Sequence, residues 1–112
     1  MAQTPEGKVK DKIKVILKRH DVYYAMPIGT GFGNAGVPDF LCCVPPNGVF
    51  LAIEAKAGKN TTTALQDKHI DAILERGGEA LVIDENNLGK LESKIKLLKG
   101  QLPVSDLPWE DT

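Results

Sequence analysis

The stretch that decides the fold runs from 36 to 56 and reads GVPDFLCCVPPNGVFLAIEAK. Two short apolar runs rich in β-forming residues, Phe40–Val44 and 49–53, flank the segment Pro-Pro-Asn-Gly at 45–48. Because proline, asparagine and glycine are turn residues, the pattern predicts an antiparallel β-hairpin. We expect the rest of the chain to support this hairpin.

Three charged residues lie at the open end of the predicted hairpin. If the loop has the four residues 45–48, Asp39 lies opposite Glu54; if it has only two residues, Asp39 lies opposite Lys56. Strand side chains alternate between faces, so Glu54 and Lys56 point the same way, and a directly opposed residue has its Cβ roughly 4.5–5.5 Å away. Either register therefore gathers two carboxylates and an ammonium on one surface.

Opposed carboxylates repel each other, so this pair requires a compensating cation. Mg²⁺ suits the pair because it prefers oxygen ligands and is typically held by one or two carboxylates together with a substrate phosphate. Asp39, Glu54 and Lys56 therefore suggest hydrolysis of a phosphodiester bond.

The spacing Pro38-Asp39, then Glu54-x-Lys56 after a hairpin, resembles the PD-(D/E)xK nuclease motif. The flanking residues resemble those of the virus-type replication-repair nuclease (VRR-NUC) family, in its small stand-alone phage or bacterial form. The resemblance spans about residues 6 to 85. The flanking features that carry it are Gly29-x-Gly31, residues 36–40, residues 50–58, Gln66 and Gly77-Gly78.

The resemblance implies an α/β fold with a restriction-endonuclease-like core, in which helices flank a mixed sheet in the order α-β-β-β-α-β-α. The residues that it implicates in catalysis are Glu6, Asp39, Glu54, Lys56 and Gln66. Asp39, Glu54 and the backbone carbonyl of Ala55 would hold Mg²⁺ or Mn²⁺. Lys56 would orient or deprotonate the attacking water, and Glu6 would place a second metal or a water.

Two of these residues also have plain structural explanations. Glu6 projects from the inward stripe of the first helix, yet acidic residues in a first turn are favoured by the helix dipole. Gln66 follows Thr63 by three residues, which is the spacing of a capping box. The residues alone slightly favour capping for Gln66, whereas the resemblance favours a place beside the lysine of the active site.

The most basic surface of the chain is the polar face of the first helix. That helix is predicted over about 5–20, because Thr4 suits an N-cap, Pro5 suits the first helical position and apolar residues then recur at helical spacing. The predicted DNA contacts are Lys10, Lys14, Gly31, Lys59, Thr61 and Thr62. A solvated helix face explains the lysines of the helix about equally well, and capping explains the threonines.

The rest of the chain has its own signals. A strand is predicted over 21–26, and a second helix begins after Thr63 and stops at Gly77-Gly78. A strand then follows over 79–83, and the long connection predicts a parallel crossover. Leu88 begins the pattern of a third helix that ends at Gly100. We expect one domain over 1–100 and an acidic tail over 101–112, with Trp109 as its anchor.

Composition narrows the class of protein. The 112 residues carry a formal net charge of −1, which excludes binding to nucleic acid by bulk charge but leaves room for a local basic groove. No apolar run approaches the roughly 20 residues of a membrane span. Without a secretory pattern, and with adjacent cysteines Cys42 and Cys43 read as core residues, we expect a cytoplasmic protein of a bacterium or a phage-infected cell. His20 and His69 are read as structural.

Three functions remain from the sequence. The first is a metal-dependent DNA endonuclease of replication, repair or recombination, resolving four-way Holliday junctions as a homodimer, since two strands must be cut and one chain has one site. The second is a non-catalytic nucleic-acid-binding module. The third is a nucleotide-binding protein based on the G-x-G-x-x-G of residues 31–36, but a strand follows that loop where a dinucleotide fingerprint needs a helix.

Overall fold

The computed structural model describes residues 3–28 and 35–100. The described chain has the predicted element order. Its elements are α1 (Pro5–Arg19), β1 (Tyr23–Ala25), β2 (Phe40–Val44), β3 (Val49–Ala55), α2 (Ala64–Glu75), β4 (Glu79–Ile83) and α3 (Leu88–Leu98). The predictions for Gly31 and for the tail with Trp109 lie outside the described residues.

The four strands form one mixed sheet in the order β1-β2-β3-β4. The first two pairings are antiparallel, and β4 joins β3 in parallel, so the predicted mixed sheet and parallel crossover are confirmed. Val44 pairs with Val49, and the amide of Gly48 donates to the carbonyl of Val44 at 2.9 Å. The loop therefore has four residues. Of the two predicted registers, this is the one that sets Asp39 opposite Glu54.

The main core lies on one face of the sheet, beneath α1 and α3. Thr4 begins α1 as predicted, with its hydroxyl accepting from the amide of Gly7 at 3.0 Å. Full burial of a large aliphatic side chain stabilises a fold by roughly 1.5–3 kcal/mol, so this layer supplies most of the apolar stabilisation. Its large buried side chains include Val9, Ile13, Ile16, Leu17, Phe40, Val44, Leu51, Ile53, Ile83, Leu91 and Ile95.

The opposite face of the sheet is only partly covered, by α2. The predicted capping box of Thr63 and Gln66 begins this helix, but α2 has no fully buried residue. Two of its apolar residues, Leu65 and Leu74, remain 45% and 48% exposed. Strand side chains alternate, so Phe50 and Glu54 point to the face opposite Leu51 and Ile53. None of the helices in the described ranges is long and apolar enough to cross a membrane.

Two expectations need correction. Cys42 is buried, and burial raises the pKa of its thiol to about 12, but Cys43 is exposed because it points to the incompletely covered face. The first strand is also shorter than predicted. Asp21 has a φ of 57°, and the amide of Val22 still donates to the carbonyl of Leu17, so the turn that ends α1 uses residues assigned to the strand.

Gly36 lets the segment before Asp39 approach α2 closely. A Cβ at this position would lie 2.6 Å from Cγ of Leu65, and its φ is +85°. Gly77 has a similar φ of +87°, but no described atom lies within 4 Å of a Cβ placed there. An alanine at either position would strain the backbone, but only an alanine at position 36 would also crowd a neighbouring side chain.

We predict that Gly36→Ala destabilises the protein more than Gly77→Ala does. Both substitutions carry the left-handed penalty of roughly 1–2 kcal/mol, and only the first adds overpacking of about 1–3 kcal/mol. Urea unfolding of both variants measures the difference. Equal losses of unfolding free energy would contradict the close approach of this segment to Leu65.

Candidate active site

The end of the β2–β3 hairpin brings the predicted acidic residues together. Asp39 directly precedes β2, and Glu54 lies in β3 one residue before its end. The amide of Ala55 donates to Oδ2 of Asp39 at 2.8 Å, which fixes the aspartate against the neighbouring strand just past the last paired residues. The N-terminal turns of α1 and α2 contact the same group of side chains.

Glu54 is the buried acid of the site. It is only 4% exposed, and Nζ of Lys56 lies 3.7 Å from its Oε2. Burial raises the pKa of Glu54 to about 7, and the charge of Asp39 and a hydrogen bond with it act in the same direction, against the opposing effect of Lys56. A negative charge on Glu54 is therefore unfavourable in this buried position next to Asp39.

Gln66 makes the contacts of a capping box and also lies against Glu54, next to Lys56. Its side-chain Oε1 accepts from the backbone amide of Thr63 at 2.9 Å, and its backbone amide donates to Oγ1 of Thr63 at 3.2 Å. At the same time its Nε2 donates to Oε2 of Glu54 at 3.0 Å. The capping box thus fixes the side-chain amide in the orientation that places its NH₂ group on the buried acid.

The structure adds Lys10 to this group of residues. Its Nζ lies 3.5 Å from Oδ1 of Asp39 and 3.6 Å from Oε2 of Glu6. Sequence reasoning assigned Lys10 to DNA and did not place it among the acids. The spacing of four residues between Glu6 and Lys10 could have predicted that these two side chains pair on one face of α1. It could not have predicted their distance from Asp39, because that distance depends on how α1 packs.

The donor set fits a divalent ion with few protein ligands. Within the described ranges, no three His, Cys, Asp or Glu side chains form a metal-binding group, but Asp39 and Glu54 lie side by side. Mg²⁺ needs only one or two protein carboxylates when waters and a substrate phosphate complete its shell. A buried acid whose pKa is raised by a second acid is the arrangement that such a cation relieves. The role of the Ala55 carbonyl stays a prediction.

The other predicted DNA contacts that the structure describes lie on α1 and on the segment that leads into α2. Lys14 is 3.7 Å from Asp11, and the hydroxyl of Thr62 donates to Asp67. Thr61 and Lys59 are exposed. Lys59 lines a cavity of about 420 Å³ that also includes Thr4, Pro5, Glu6, Ala57, Gly58 and Asn60. This cavity adjoins the carboxylates through Glu6.

The two histidines lie outside the acid group. Nε2 of His20 lies 2.7 Å from Oε2 of Glu92, which ties the end of α1 to α3. His69 is partly exposed on α2, beside Leu65. The structural reading of His20 agrees with its contact.

We predict that the metal-free protein loses stability as pH rises from about 4.5 to about 7. In that window folded Glu54 keeps a proton that the unfolded chain has released, so each step upward in pH favours the unfolded state. The stabilisation that this proton provides is complete below the window and lost above it. Within the window, the free energy of unfolding falls by up to about 1.4 kcal/mol per pH unit.

Urea unfolding in chelator across this pH range measures the effect. Glu54→Gln should flatten the profile, whereas Glu75→Gln, the same change at an exposed position of α2, should leave it unaltered. Parallel profiles for the wild type and Glu54→Gln would show that the proton is not held at Glu54.

The comparisons with known proteins agree with this architecture. No family model matches the chain, and no curated protein matches its sequence. A solved structure titled "VRR_NUC domain" is similar to the chain with a TM-score of 0.63 at 19% identity, over 86% of this chain and 95% of that one. The restriction-endonuclease-like α/β core predicted from the resemblance is confirmed: the chain has the fold of a VRR_NUC domain.

Proposed function

We propose that the protein is a metal-dependent nuclease that hydrolyses phosphodiester bonds in DNA. The observation that carries this proposal is the buried Glu54, with its pKa raised next to Asp39 and with Lys56 on its Oε2. The VRR_NUC fold adds support, since the acids lie at the end of the hairpin in the order expected from the nuclease motif.

Each residue of the site then has a distinct task. Asp39, Glu54 and the carbonyl of Ala55 would hold Mg²⁺ or Mn²⁺, with Glu6 beside a second metal or a water. The chemistry that such an ion supplies is neutralisation of phosphate charge and acidification of water. Lys56, whose side chain is 12% exposed, orients or deprotonates the attacking water and stabilises the charge that develops on the phosphate. Gln66 holds the carboxylate of Glu54 in place.

The approach of DNA follows from the positive side chains around the acids. Lys59 and the exposed Thr61 lie where the chain enters α2, and Lys59 lines the cavity that also contains Glu6. A phosphate in this cavity would be next to the acids and within reach of a flexible lysine. The other proposed contacts with the same DNA strand are Lys10, Lys14, Thr62 and Gly31.

For the substrate we propose branched DNA, with a four-way junction cut by a homodimer. The part of the chain that the structure describes forms one candidate site, around Asp39 and Glu54, and symmetrical cutting of two strands needs two sites. The expected partner is therefore a second copy of this chain.

A non-catalytic nucleic-acid-binding module is the second candidate. The observation that favours it is the lysine between Asp39 and Glu6, because an ammonium within an acid group is also what a purely structural ion-pair cluster contains. The two candidates differ in whether the acids are needed for cleavage or only for the fold.

We predict that wild-type protein cleaves DNA with Mg²⁺ or Mn²⁺ and not with chelator. Asp39→Asn and Lys56→Ala should each lower the rate by about 100-fold or more, because each removes charge stabilisation at the reacting phosphate. Labelled branched, flapped, single-stranded and duplex DNA on denaturing gels measures this. Asp71→Asn and Lys68→Ala, on the exposed side of α2, are the matched controls. Inactivity of the wild type on every substrate would favour the binding module.

We also predict paired, symmetrical nicks in a four-way junction. Light scattering should give twice the chain mass for the protein alone, and mapping of both labelled strands should place the cuts at equivalent positions. A monomer that cuts a single strand of the junction would contradict the homodimer and leave the nuclease proposal intact.

A further inference from the structure

Lys10 is a proposed DNA contact, but the proposed hydrolysis gives it no task at the acids beside which it lies. Asp39 and Glu54 lie side by side at the site, and Glu6 lies across Lys10 from Asp39. Two ammoniums are close to them: Lys56 is next to Glu54, and Lys10 is next to the other two acids. Lys10 is thus the cation that offsets the charge of Asp39 and Glu6 in the metal-free protein.

We propose that Lys10 is a resident cation of the metal site, which neutralises Asp39 before a divalent ion enters and withdraws from it when the ion binds. This inference rests on the proposed function, because it requires a metal at Asp39. It assigns to Lys10 control over how tightly the free protein binds its metal.

The oxygens of Asp39 explain why the lysine and a metal would compete. Oδ2 already accepts from the amide of Ala55 at 2.8 Å, and Lys10 lies next to Oδ1. The backbone bond is part of the hairpin end and is not easily given up. Oδ1 is therefore the oxygen of Asp39 with more room for an ion, and it is the one that Lys10 now faces.

The contacts of Lys10 are also loose enough to be exchanged. Its distances of 3.5 and 3.6 Å exceed a normal hydrogen bond, whereas Lys94 lies 2.8 Å from Oε1 of Glu79. A partly exposed ion pair of this kind contributes at most about 1 kcal/mol. The side chain of Lys10 is 29% exposed on a flexible four-carbon stem, so it has room to swing toward solvent or toward a phosphate.

Calorimetric titration of Mn²⁺ into DNA-free protein tests the proposal without reference to cleavage. We expect Lys10→Gln to bind Mn²⁺ about two- to fivefold more tightly than the wild type, because the competing ammonium is gone. Lys14→Gln removes the same charge one turn further along α1, where the lysine is next to Asp11, and should bind as the wild type does. Lys10→Gln should also unfold at lower urea in chelator, and saturating Mn²⁺ should remove that deficit.

The outcomes separate this inference from the proposed function. Mn²⁺ affinity that is unchanged or weaker in Lys10→Gln, beside normal binding by the wild type, overturns the role of Lys10 and leaves the nuclease proposal standing. A wild type that binds no Mn²⁺ overturns the metal site itself. A purely structural lysine would lower stability without tightening metal binding, and a lysine that only contacts DNA would change neither quantity.

A second measurement on the wild type covers the case in which Lys10→Gln fails to fold. Lysine ¹³Cε spectra report each side chain, and Lys10→Arg identifies the signal of Lys10 by its loss. Saturating Mg²⁺ should shift that signal and leave the signal of Lys14 in place. A Lys10 signal that does not respond to saturating Mg²⁺ overturns the proposal.

Discussion

The candidate site is organised around the repulsion between two carboxylates that a hairpin holds side by side. The pairing of Val44 with Val49 sets Asp39 against Glu54, and the amide of Ala55 keeps the aspartate there. Neither strand can relax by sliding, because a shift of one residue would turn the buried side of β3 toward the other face. The charge must instead be offset by a proton, by an ammonium or by a metal.

Each neighbouring helix brings one partner to this pair, and it does so through its own first turns. In α2 the capping box fixes the amide of Gln66, whose free NH₂ then reaches Glu54. In α1 the spacing of four residues sets Lys10 beside Glu6 and aims it at Asp39. The contacts that stabilise the first turns of the two helices therefore also assemble the site.

Most of the fold could be predicted because each element carries local signals of its own. Thr4 and Thr63 cap their helices, and Gly77-Gly78 ends α2. The hairpin register could not be chosen, since the same turn residues allow loops of two or four residues. The exposure of Cys43 and the position of Lys10 follow from how helices cover each sheet face, which is set by tertiary packing that local patterns do not report.

Glu54 is difficult to explain as part of a stable core. Its neighbours Ile53 and Ala55 are fully buried, and an apolar residue in its place would avoid the cost of a buried acid next to a second one. The fold has the means to be stable without it, because the main core lies on the opposite face beneath α1 and α3. A buried charged residue that the core does not require is typical of a functional site. Here the two neighbouring acids leave the site short of positive charge. The divalent ion that we propose would supply that charge and could also contact a substrate phosphate, which neither Lys10 nor a proton bound to Glu54 would do together.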